Sequence, residues 1–117
     1  YFESVILIND GSGSYELVSL PKILQMRPML DIAITDVDHD GVDDCIAVGN
    51  IYSTEPETPR LDASRQYVLS APGKNIQARP LSHFTKGDIK TITIITTKED
   101  EDILVVGTNN GLLSLYK

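Results

Sequence analysis

The stretch Asp36-Val37-Asp38-His39-Asp40-Gly41-Val42-Asp43-Asp44 sets five carboxylates and one glycine into nine residues. Counted from Asp36, aspartates fall at loop positions one, three, five and nine, and Gly41 falls at six. That is the ligand spacing of a calcium loop. Ca²⁺ is a hard cation that takes about six to eight oxygens, and alternate residues of a tight turn can all aim inward. Gly41 lets the chain reverse sharply, and the carbonyl of Val42 can then add a further oxygen. The expected metal ligands are therefore Asp36, Asp38, Asp40, the Val42 carbonyl and Asp44. Carboxylates about 5 Å apart repel by roughly 3 kcal/mol per pair at an effective dielectric of about 20. Such a knot needs a cation, or it must splay into water. A solvated acidic turn without metal is the competing reading, because Asp and Gly are ordinary turn residues.

The flanks decide which kind of loop this is. An EF-hand needs a helix on each side and a bidentate Glu at position twelve, where this chain has Ala47. Before the loop, Leu30-Asp31-Ile32-Ala33-Ile34-Thr35 alternates with a period of two. After it, Cys45-Ile46-Ala47-Val48-Gly49 is a short apolar run. Both read as strands, so the loop joins an antiparallel pair.

A strand, DxDxDGxxD, and an apolar strand ending in Gly49-Asn50 together resemble an FG-GAP repeat, also called a VCBS-type repeat. Such repeats form the blades of integrin-alpha-like β-propellers. The turn Asn9-Asp10-Gly11-Ser12-Gly13-Ser14-Tyr15 is similar to the N-x-G-x-G-x-aromatic hairpin that these blades often carry. Gly49-Asn50-Ile51-Tyr52 and Arg60-Leu61-Asp62-Ala63-Ser64 are similar to secreted bacterial members of the group, especially those of Bacteroidetes. The resemblance implies an all-β fragment of a β-propeller, with antiparallel four-stranded blades and about two blades present. It also implies a structural Ca²⁺ in a secreted, cell-surface or cell-envelope protein that binds protein or glycan partners.

Composition sets limits. A chain of 117 residues is one domain at most by size, and 41% hydrophobic residues suit a modest core. The formal charge is −7, but five of those negatives lie in residues 36–44, and without them the balance is −2. The ten basic residues are scattered, which argues against nucleic acid as a partner. No apolar run approaches the roughly 18 residues of a membrane span, so no membrane insertion is expected. No signal peptide is visible. The chain opens on Tyr1 rather than Met, so we expect a piece of a longer protein. The single cysteine, Cys45, reads as an inert residue of a buried strand.

Along the chain, residues 4–8 and 15–20 read as a hairpin around Asp10-Gly11, with Asp10 a plain turn residue. Residues 21–30 read as a packed connector. Ile23, Leu24, Met26, Met29 and Leu30 offer a short apolar face there, the methionines act as core filler, and Pro28 limits any helix to two turns. Residues 50–65 form a long polar loop, functional or unstructured, in which Arg60 can pair with Asp62 or Glu57. Strands follow at residues 66–70 and 76–81, with Pro80 marking an edge, and then at 89–96, 102–107 and 112–116. His83 falls in a connector, away from any partner for acid–base chemistry.

The order repeats. Residues 5–20 match 67–81, and 30–50 match 89–108, with Ala47-Val48-Gly49-Asn50 answering Val105-Val106-Gly107-Thr108. The second acidic turn, Thr97-Lys98-Glu99-Asp100-Glu101, lacks the glycine and the alternate spacing, so a solvated turn without calcium is expected. The units are then 1–20 as an outer hairpin, 29–81 as a calcium-binding blade carrying the long loop, and 88–117 as most of a following blade. Propellers close with about four to eight blades. This piece would need further blades, or copies of itself, to cover its open edges.

No catalytic motif is visible: no G-x-S-x-G, H-E-x-x-H, P-loop or Cys/His ligand set. The expected function is non-enzymatic binding. At the affinities of extracellular modules, millimolar calcium adds only about 0.4–1.4 kcal/mol, which stiffens a hairpin without dominating the fold. The alternative is a module of a secreted polysaccharide-degrading enzyme, for which Glu55, Glu57 and Asp62 are the only carboxylates on offer. A purely architectural spacer is the third possibility.

Overall fold

The computed structural model describes residues 2–59, 61, 66–70, 75–83 and 85–117. They form antiparallel sheets of two, four and three strands, with almost no helix. The first sheet pairs β1 (Val5–Asn9) with β2 (Tyr15–Ser19). A single helical turn, α1 (Lys22–Gln25), leads into the middle sheet. That sheet runs in order through β3 (Asp31–Thr35), β4 (Asp44–Val48), β5 (Tyr67–Ser70) and β6 (Gln77–Pro80). The third comprises β7 (Ile89–Thr96), β8 (Asp102–Thr108) and β9 (Ser114–Tyr116). Every pairing joins sequence neighbours, so the sheets are hairpins and meanders, with β-branched residues densest in β7. Among the described residues no helix is long and apolar enough to cross a membrane.

The two central strands of the middle sheet, β4 and β5, are covered on both faces. Ala33, Ile46, Val48 and Val68 pack against Ile89, Ile92 and Val106 of the third sheet. On the other face Ala47 and Leu69 pack against Leu20 and Leu24, with Ile6 of the first sheet alongside. A strand buried on both faces cannot alternate polar with apolar, and β4 accordingly reads Cys-Ile-Ala-Val after its first residue. Each side chain of this size, fully buried, contributes about 1.5–3 kcal/mol.

The connector behaves differently from its sequence reading. Only Leu24 is fully buried, and Ile23 and Leu30 are 41% and 43% exposed. Met26 is 75% exposed and fills no core, whereas Met29 does pack beside Leu24. The helix is a single turn, so one apolar residue at most can face inward. The buried place is taken by Arg27, whose guanidinium lies 4.2 Å from the centre of the Tyr67 ring.

A polar seam fastens the middle sheet to the third. Asp31 Oδ2 accepts from Thr91 Oγ1 (2.6 Å) and from the Ile92 amide (3.0 Å). The hydrogen bond from Thr91 is the chief cause that holds the Asp31 carboxyl below its ordinary pKa, helped by the Ile92 amide. Asn50, fully buried, donates its backbone amide to Ile89 O and its side-chain amide to Gly87 O. Lys90 Nζ bridges Asn50 O (2.8 Å) and Asp88 Oδ1 (2.7 Å).

The two hairpins correspond one residue differently from the sequence alignment. Val48 faces the third sheet while Val106 faces the middle sheet, so these valines point in opposite senses. Ala47 is the residue that matches Val106, each facing the preceding sheet. The slip goes with a register irregularity between Ile89 and Thr91, opposite Gly107 and Thr108. With period two, one residue of slip exchanges the faces.

Three apolar faces stay open, the first carrying Leu7, Leu17 and Tyr15 on the β1–β2 hairpin. Ile32 and Ile34, paired with Ala47 and Cys45, are 56% and 53% exposed. On the far side of the third sheet, Ile95 and Leu115 are exposed beside Val105 and Ile103. The long loop is not featureless: Ile51 and Leu61 exchange two backbone hydrogen bonds of 2.9 and 3.0 Å and pinch it shut. Arg60 and Asp62, and with them the pairing expected for Arg60, lie outside the described residues.

A Cβ at Gly49 would sit 2.6 Å from the Leu30 amide nitrogen and 2.7 Å from Pro28 O, both backbone atoms. Gly49→Ala therefore lowers stability by about 1–3 kcal/mol, read as a lower urea midpoint. Asp31 gives a pH signature. Its folded pKa is depressed, so its contribution is complete above the ordinary value of 3.8 and is lost as pH falls through the lower folded value. Asp31→Asn is less stable than the wild type at neutral pH, and urea midpoints of the two converge as the solution is acidified through that window.

Candidate metal centre

The loop between β3 and β4 spans residues 36–43 and turns on two left-handed residues, His39 (φ 58°) and Gly41 (φ 86°). Asp36 organises it. Its Oδ1 accepts from the Asp40 amide (3.1 Å) and its Oδ2 from the Gly41 amide (2.8 Å). Asp40 Oδ1 accepts from the Val42 amide (2.8 Å). These bonds curl the loop so that one carboxylate oxygen from each of Asp36, Asp38 and Asp40 lies within 4.8 Å of the others. This is the only cluster of three or more His, Cys, Asp or Glu ligand atoms among the described residues. A carboxylate has about four lone-pair sites, so the amide bonds leave capacity for a cation.

Of the remaining expected ligands, Val42 is 61% exposed within the loop. Asp44, the first residue of β4, is buried at 5% exposure and lies outside the trio. Its Oδ1 accepts from Ser70 Oγ at 2.8 Å. Its Oδ2 is buried with no hydrogen-bond partner. Among the described residues the nearest positive charge is Arg79 Nη2 of β6, 3.6 Å from Asp44 Oδ2 and 3.1 Å from Asp38 Oδ2. One guanidinium nitrogen thus lies between the exposed end of the acid cluster and its buried end.

The donor set suits a hard divalent cation: all oxygen, three carboxylates close together, and a fourth buried nearby with an unsatisfied oxygen. Ca²⁺ in particular is a further step, because the trio alone would also accept other hard cations. Sequence reasoning missed Ser70 and Arg79. They stand 26 and 41 residues from the aspartates they contact, and no local spacing announces them. Beside the site, Cys45 is half-buried, and burial and then the Asp44 charge push its thiol pKa up, which keeps it unreactive.

A cleft of about 760 Å³ opens next to the loop, lined in part by Asp36, His39, His83, Asp102 and Tyr116. A second, of about 810 Å³, lies around Tyr52, Asp88 and Asn109. Glu55 and Glu57 line neither cleft, and Asp62 is outside the described residues. The turn at residues 97–101 is exposed and closed by Thr97 N to Glu101 O (2.8 Å), and no metal-ligand cluster forms there among the described residues. Asp10 is a turn residue: its Oδ1 accepts from Ser12 N, Ser12 Oγ and Ser14 N.

Comparison with protein-family models, with characterised proteins and with solved structures gives no match for this chain.

Ser70→Ala removes the hydrogen bond that Asp44 Oδ1 receives inside the sheet. Hydrogen bonds to buried charged groups contribute about 1.5–3 kcal/mol, so chemical denaturation of the variant shows a loss of that size.

Proposed function

We propose that the chain is a calcium-stabilised segment of a β-propeller of the FG-GAP/VCBS kind, part of an extracellular or cell-envelope protein that binds protein or glycan partners. One observation carries this reading. Three aspartate ligand atoms lie within 4.8 Å of one another at the tip of a hairpin, beside a fourth, buried aspartate. The calcium role is structural: Asp36, Asp38, Asp40 and the Val42 carbonyl hold the ion from the loop, and Asp44 ties it to β4. The ion offsets a charge knot that otherwise strains the turn.

The stacking of the sheets supports the propeller part. Successive antiparallel meanders face one another through apolar cores, and the open faces around Ile32 and Ile34 and around Ile95 and Leu115 call for neighbouring sheets. In the parent protein those neighbours are further blades of the same kind. The partner surface is formed by the loops at the ends of the sheets.

Isothermal calorimetry with calcium chloride tests the metal. The wild type takes up about one Ca²⁺ with a dissociation constant of roughly 10⁻⁴ to 10⁻³ M, and Asp38→Ala binds far more weakly. A wild type that gives no heat at millimolar calcium removes the metal from the proposal, and the family reading loses its main support with it.

A further inference from the structure

Arg79 stands where a cation is wanted. Its Nη2 is 3.1 Å from Asp38 Oδ2 and 3.6 Å from Asp44 Oδ2, so a single nitrogen serves one carboxylate of the trio and the buried carboxylate behind it. The buried oxygen has no hydrogen-bond partner, which leaves the guanidinium as its nearest compensation among the described residues. A buried carboxylate is costly unless it is paired. The arginine comes from β6, an edge strand of the middle sheet, and its side chain is 44% exposed. It therefore has solvent to move into.

We propose that Arg79 is an internal competitor for the cation, an inference that rests on the calcium reading of the loop. In the calcium-free chain the guanidinium neutralises Asp38 and Asp44 in the ion's stead. A divalent ion drawing those two carboxylates together displaces it, because a positive charge so close to Ca²⁺ is repelled and the oxygens it occupies are needed as ligands. Two consequences follow from one contact. The calcium affinity is lower than the oxygen set alone would give. Binding also frees the β6 side chain from the loop, so the edge of the middle sheet responds to the ion.

The test is calcium binding by Arg79→Gln and Arg79→Lys, followed by calorimetry with calcium chloride alone as the probe. Loss of an ion pair of this exposure together with the repulsion it implies tightens calcium by about three- to tenfold in Arg79→Gln. Arg79→Lys keeps the charge and binds as the wild type does. If the wild type binds calcium and Arg79→Gln binds it equally or less well, the competitor role is wrong and the calcium reading stands. If neither the wild type nor folded Arg79→Gln binds calcium, the calcium reading fails and takes this role with it. Should Arg79→Gln lose the far-ultraviolet circular dichroism of the wild type, the contest is read in the wild type by NMR. The Arg79 Nε–H resonance then shifts on calcium addition together with the Gly41 amide, and a Gly41 shift without an Arg79 shift overturns the proposal.

Discussion

A sheet that is apolar on both faces cannot stand alone, and the middle sheet is of that kind. Ile46, Val48 and Val68 look one way and Ala47 and Leu69 the other, all close to fully buried. Its strands therefore require a layer on each side. The β1–β2 hairpin with Leu24 supplies one and the third sheet supplies the other. Polar side chains are driven to the rims and to the seam between layers, where Asp31, Asn50 and Lys90 satisfy backbone groups of both sheets. The acid loop occupies such a rim. Its three clustered aspartates keep contact with water while Asp44 dips into the sheet, so the site straddles the boundary between solvent and core.

Much of this was legible in the residues. The β-branched runs at Ile89–Thr96 and Asp31–Thr35 and the Gly-rich turn after Asn9 placed strands close to where they lie, because each signal is local. The aspartate spacing was local too, and Asp36, Asp38 and Asp40 do converge. What the residues did not disclose depends on distance along the chain. Arg79 and Ser70 reach Asp38 and Asp44 only because β5 and β6 pair onto β4. Which valine of the second hairpin faces inward is not legible either, because Val-Gly looks alike in both copies and the face follows from the pairing of Ile92 with Val106. Arg27 was overlooked because its burial requires the Tyr67 ring, forty residues on.

The molecule leaves apolar sheet faces open and blunts some of its edges. Its sheet faces at Ile32 and Ile34, and at Ile95 and Leu115, are open and apolar. Two of its edge strands are less inviting. β6 ends in Pro80, which has no amide hydrogen to donate, and β9 is only three residues long. Strand addition is thus discouraged at β6 and β9, whereas β3 and the eight-residue β7 keep unblunted edges.

The two tight hairpins differ in the length of chain they spend on turning. Residues 36–43 separate β3 from β4, whereas residues 97–101 separate β7 from β8. The shorter turn closes on itself through a Thr97–Glu101 backbone bond and has no room for alternate side chains to converge. Painting aspartates onto it would add charge without building a cage. Conversion of one hairpin into the other is thus a matter of insertion as well as substitution.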